Sequence, residues 1–105
     1  MSSTMVIVAG HVMVEPDQRE AYLAGSLRIV EKARPAAGCL DVSIAADLID
    51  PGRVNIFERW ESQEALDTFR RRGGTGNVEL PKMLSASVLE YDVAAERPAF
   101  GKANN

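Results

Sequence analysis

A chain of 105 residues, 46% hydrophobic and 26% charged, has the composition of one folded domain and is too apolar for whole-chain disorder. One cysteine, Cys39, excludes an internal disulfide framework and points to a reducing, cytoplasmic setting. A net charge of −3 argues against nucleic acid as a partner, and no apolar run approaches the ~20 residues that cross a bilayer, so no membrane partner is expected either.

Met5 to Val14 is valine-rich and apolar almost throughout, too β-branched for a good helix, and reads as a strand. No basic segment precedes it, so Met5 to Ala9 reads as part of that strand and not as a signal peptide. Its two faces, Met5/Ile7/Ala9/His11/Met13 and Val6/Val8/Gly10/Val12/Val14, are both largely apolar, which predicts cover on both sides. Glu15-Pro16-Asp17 opens a helix whose apolar stripe is expected at Leu23, Leu27 and Val30, flanked by Tyr22, Ser26, Ile29 and Ala33. Pro35 and Gly38 end it. Cys39 to Leu48 alternates strictly: Leu40, Val42, Ile44, Ala46 and Leu48 on one side, Asp41, Ser43 and Asp47 on the other, as in a half-wet strand. Asp50-Pro51-Gly52-Arg53 fits a type II turn into a strand over Val54 to Trp60. Ser62 is the expected N-cap of a second helix through Ala65, Leu66 and Phe69, ended by Gly73-Gly74. Thr75 to Pro81 reads as loop, Lys82 to Val93 as strand, and everything from Ala94 as a loose tail.

The order is β-α-β-β-α-β: an α+β, ferredoxin-like domain over residues 1–93 with a four-stranded antiparallel sheet, followed by a tail at 94–105. The first and third strands belong in its centre. Two helices cover only one face of such a sheet. The bare flank of the first strand needs other cover, either a second copy of the chain, sheet against sheet, or the tail folded back.

Sites with strong sequence signatures are absent. There is no CxxC, HExxH, GxSxG or dinucleotide fingerprint, and Gly73-Gly74-Thr75-Gly76 lacks the lysine and the strand-to-helix context of a phosphate loop. No metal or cofactor is therefore expected. His11, on an apolar strand, reads as a core or interface histidine or as a base facing a cavity. Arg70 to Arg72 reads as a solvated helix C-terminus or as a cationic lip for an anion. On the third strand Asn55, Phe57 and Arg59 project to one side and Val54, Ile56, Glu58 and Trp60 to the other. Asn55 and Trp60 suit either packing or a ligand, since a buried amide or indole needs a partner.

Val54 to Leu66, VNIFERWESQEAL, resembles the antibiotic biosynthesis monooxygenase family, in which a strand ending in E-x-W leads into a capped helix. Ala37-Gly38-Cys39-Leu40, the first strand and Pro16 to Glu20 are similar as well, so the resemblance spans roughly residues 5 to 93. It implies a homodimeric α+β barrel with a pocket between sheet and helices in each subunit. It further implies oxidation of a quinol-like or phenolic aromatic by dioxygen without metal, flavin or haem. A deprotonated phenol can reduce dioxygen directly while the protein excludes water and stabilises charge. Carried over, Asn55 and Trp60 are the catalytic pair, with His11 as proton acceptor. Tyr22, Arg59 and Tyr91 are substrate-binding candidates. Phe69 stands about where haem-degrading relatives place an iron-ligating histidine, which argues against haem. Strict alternation, however, puts Asn55 and Trp60 on opposite faces unless a bulge intervenes. Two other activities fit the same barrel: a non-catalytic, stress-related small-molecule-binding dimer, or a cyclase or isomerase of aromatic polyketides.

Overall fold

The computed structural model describes residues 4–74, 76 and 78–101. Strand β1 (Val6–Met13) runs through a 3₁₀ turn at Pro16–Gln18 into helix α1 (Arg19–Ala33). Strands β2 (Cys39–Ala46) and β3 (Arg53–Trp60) follow, then helix α2 (Gln63–Arg71) and strand β4 (Ser85–Asp92). The sheet order is β2-β3-β1-β4, antiparallel at every pairing. This is the α+β ferredoxin-like fold, with β1 and β3 at its centre.

Register fixes the two faces, because residues directly opposite each other share a face. Val6 pairs with Trp60 and Val12 with Val54 on the helix side, while Ile7 pairs with Arg59 and His11 with Asn55 on the other. Beneath the helices the core forms two clusters. Val6, Val8, Ala33, Val42, Trp60 and Leu66 pack at one end, and Val12, Val14, Tyr22 and Val54 at the other. Gly10 lies on β1 between them at φ +153°, where a Cβ would collide with the Ser87 carbonyl of β4. Only glycine lets the β1–β4 ladder close there.

Four local expectations change. The buried stripe of α1 is Tyr22, Ser26, Ile29 and Ala33, and Leu27 is 57% exposed. Ser26 is tolerated inside because its hydroxyl donates to the Tyr22 carbonyl at 2.8 Å. A bulge between Cys39 and Asp41 takes Leu40 out of the core series, and Leu48 and Ile49 project from the β2–β3 hairpin almost fully exposed. The turn at Asp50 closes through Arg53 N–H to the Asp50 carbonyl, but Gly52 has no positive φ and the turn is not type II. Glycine is needed there because a Cβ would sit 2.6 Å from the Val14 carbonyl oxygen. Finally, β4 begins at Ser85 rather than Lys82.

Residues 78–84 form neither helix nor strand. Thr75, on which part of the loop expectation falls, lies outside the described residues, as do Asn77 and 102–105 of the tail. The tail bends toward the open face as far as Arg59, which meets Glu96 at 3.7 Å. Leu89 and Tyr91 on that face stay 60% and 49% exposed. No helix among the described residues is long and apolar enough to cross a membrane.

Candidate functional site

On the helix side a cleft of about 330 Å³ opens between the C-terminal end of α1 and helix α2. That volume lies at the small end of the range typical of ligand pockets, roughly 300–1,000 Å³. Its walls include Ala36, Ala65 and Thr68, its floor is Phe69, and Lys32 and Arg72 stand at its rim. Local sequence builds it. Ser62 Oγ accepts the Ala65 N–H at 3.1 Å and fixes where α2 begins. Small side chains at 36, 37 and 65 then keep the two elements from filling the space between them. The Phe69 ring tilts 35° over Trp60, with centroids 5.2 Å apart. A larger hollow, lined by Thr4, Met5 and residues 92–96, is only the gap between the chain's first strand and the departing tail.

Trp60 is fully buried and its indole N–H is engaged, donating to Glu58 Oε1 at 2.9 Å. It supports the cleft floor from beneath and touches the cleft only through Phe69. Tyr22 is also on the helix side, buried in the second core cluster, and burial pushes its hydroxyl pKa up. Cys39, paired with Trp60, has its thiol pushed up by burial and then by the Glu58 charge, against a lowering by a hydrogen bond to the Asp41 backbone.

The remaining candidates face the opposite way. His11 lies directly between Asn55 on β3 and Ser87 on β4. Arg59 and Tyr91 flank Ile7 further along the same face. The Arg59 Nε is buried without a hydrogen-bond partner among the described residues. The catalytic trio expected from sequence is therefore split. His11 and Asn55 are cross-strand neighbours, but β3 runs without a bulge against β1, and Trp60 stays on the other face. No single ligand within one chain can touch all three.

Asn55 is instead committed to the β2–β3 hairpin. Its Oδ1 accepts from Arg53 Nε at 2.7 Å, and its amide donates to Asp47 Oδ1 at 3.0 Å. The Asp47 carboxylate also accepts the backbone N–H groups of Asp50 and Ile49. The Asp50 N–H, the Asn55 amide, the Ile49 N–H and the Arg53 charge together hold its pKa at about 2, against the opposing effect of desolvation. Arg19 completes the clamp by donating to the carbonyls of Asp47, Asp50 and Arg53, tying α1 to the hairpin.

The model of the family described as antibiotic biosynthesis monooxygenase matches residues 5–75. The chain belongs to that family. A curated relative, an uncharacterized protein of Synechocystis, is 34% identical over 62 residues, which is 59% of this chain but 42% of its own length. The chain thus spans less than half of that relative. Among solved structures, a conserved protein of Methanosarcina mazei superposes with TM-score 0.73 at 18% identity, over 85% of this chain and 92% of its own. Two structures named as candidate antibiotic biosynthesis monooxygenases agree as well. That of Caulobacter crescentus has TM-score 0.71 at 19% identity, over 89% and 92% of the two chains. That of Nitrosomonas europaea has TM-score 0.70 at 15% identity, over 90% and 94%. At these identities the structures show the shared fold.

Within this monooxygenase family member, Phe69 turns out to be the cleft floor. In the sequence it stands out as part of the apolar run of α2 and as the place of a missing histidine, not as a site residue. Lys32, Ala36, Ala65 and Thr68 were missed as site residues. The one available signal was the run of small residues at 36–38, whose partner at Ala65 is set by packing. Among the described residues no three His, Cys, Asp or Glu side chains gather as a metal site would require.

Proposed function

We propose that the protein is an oxygenase of small aromatics, which binds a quinol-like or phenolic ring in the cleft between α1 and α2 and oxidises it with dioxygen. The observation that carries this reading is the cleft itself: a ligand-sized apolar recess floored by the Phe69–Trp60 aromatic pair, in a chain of this family. The overall change converts a ring C–H and its para hydroxyl to a quinone. One oxygen atom enters the ring as a carbonyl and the other leaves as water, so one dioxygen is consumed per quinone. Apolar walls favour this chemistry by keeping water from the phenolate and from the reduced oxygen it generates.

The open sheet face supports the expected homodimer. Ile7, Ala9, Phe57, Leu89 and Tyr91 share that face, and Leu89 and Tyr91 are about half exposed in the single chain. A second copy covering it would bury His11 and Asn55 between the sheets, which makes them interface residues in this reading. Sedimentation at micromolar concentration should find a dimer, and a stable monomer would remove it.

An oxygen electrode with a panel of mono- and dihydroxynaphthalenes tests the activity. With substrates whose para position carries hydrogen, dioxygen uptake matched one to one by quinone absorbance and without hydrogen peroxide is expected. Binding of the same compounds without uptake would leave a small-molecule-binding protein and refute the oxygenase.

A further inference from the structure

The rim of the cleft carries two cations, Lys32 and Arg72. Lys32 lies in the last turn of α1, and Arg72 caps the C-terminus of α2. Among the described residues no carboxylate lines the cleft with them. The other arginines of that run are engaged: Arg70 pairs with Glu90 at 2.9 Å, and Arg71 donates to Thr68 Oγ1 at 3.0 Å. Among the described residues, neither Lys32 nor Arg72 has a carboxylate within ion-pair distance. Glu61 and Glu64 line a neighbouring recess that shares Ala37, Ala65 and Thr68 with the cleft. Cations at helix C-termini oppose the helix dipoles, which accounts for their presence there. It does not account for two of them lining one apolar cleft, in a chain whose net charge is −3.

We infer that the cleft selects aromatic anions, with Lys32 and Arg72 holding a carboxylate carried on the ring while the ring packs on Phe69. The inference rests on the proposal that this cleft holds the substrate. The Arg72 guanidinium can meet a carboxylate through two parallel N–H donors, and Lys32 adds a point charge beside it. A ring anchored this way by its acid group leaves its hydroxyl and para carbon free to react. The substrate class becomes hydroxy-aromatic carboxylic acids.

Calorimetric titration of the full chain with 2-naphthoate and its neutral isostere 2-naphthamide tests it. A solvent-exposed charge pair is worth at most roughly three- to fivefold in affinity, so two cations favour naphthoate by about nine- to twenty-fivefold at low salt. The preference shrinks at high salt. The K32Q/R72Q double variant lowers naphthoate affinity to that of the amide and leaves amide affinity unchanged, whereas R72K retains most of the preference. Urea midpoints of the variants confirm that they fold. Equal affinity of the two probes for the unmodified chain overturns the anion selectivity while leaving the cleft as the aromatic site. So does a preference that survives the double substitution. Binding of neither probe, with hydroxynaphthalene oxidation still observed, overturns both the selectivity and the cleft assignment while leaving the oxygenase.

Discussion

Substituting Trp60 with phenylalanine separates a structural tryptophan from one that handles substrate. The side chain is fully buried, packs against Phe69 and donates its indole N–H to Glu58 at 2.9 Å. Phenylalanine removes that donor and leaves a void where the second ring stood. A hydrogen bond to a charged acceptor contributes about 1.5–3 kcal/mol, and each lost methylene-sized group roughly 0.8 kcal/mol. Glu58 is only partly buried and can regain water, so the net cost should fall near 2–3 kcal/mol by these magnitudes. Urea unfolding followed by far-ultraviolet circular dichroism, at one fixed protein concentration, measures it. A cycle with Glu58→Ala should show a coupling of about 1 kcal/mol or more between the two positions. Single and coupled costs both below roughly 0.5 kcal/mol would refute the locked indole, because changes of that size are typical of surface positions.

Three further outcomes follow from the same geometry. The Asp47 carboxyl titrates at about 2 in the folded chain against an ordinary 3.8. The folded state therefore binds fewer protons, and the stability Asp47 contributes is complete above about pH 5 and lost as pH falls toward 2. Melting temperatures of Asp47→Asn and the parent should converge across that window, and parallel curves would contradict the shift. Gly10→Ala should cost more than about 3 kcal/mol, the scale of severe steric and backbone conflicts, since its Cβ meets the Ser87 carbonyl; urea unfolding within about 1 kcal/mol of the parent would show that β4 moves aside. Asn55→Ala should cost about 1–3 kcal/mol through the unpaired Arg53 and Asp47 groups but leave turnover per folded molecule unchanged. Oxygen uptake abolished in a well-folded Asn55→Ala would return Asn55 to the chemistry.

The sheet order was legible because β1 is apolar on both flanks while the second and fourth strands carry polar faces suited to an edge, and parity along β3 already separated Asn55 from Trp60. The face of α1 was not legible. Leu23/Leu27/Val30 and Tyr22/Ser26/Ile29/Ala33 recur at equivalent helical spacing, one residue out of phase. Packing against β2 and β3, together with the Ser26 bond to the Tyr22 carbonyl, decides between them. Gly52 shows a similar ambiguity, since Pro-Gly suits a positive φ, yet the glycine serves a close approach to Val14. The cleft was least legible. It is space left by small residues on two elements that are distant in sequence, and neither helix pattern alone announces it.

Proton–nitrogen correlation spectra of the labelled chain, titrated with a hydroxynaphthalene, test the placement of the ligand most directly. Shifts concentrated at residues 32–38 and 65–74 and at the Trp60 indole, with the open-face positions around His11, Phe57 and Leu89 still, are the expected result. Shifts confined to that open face, with the helix side unmoved, would contradict the account.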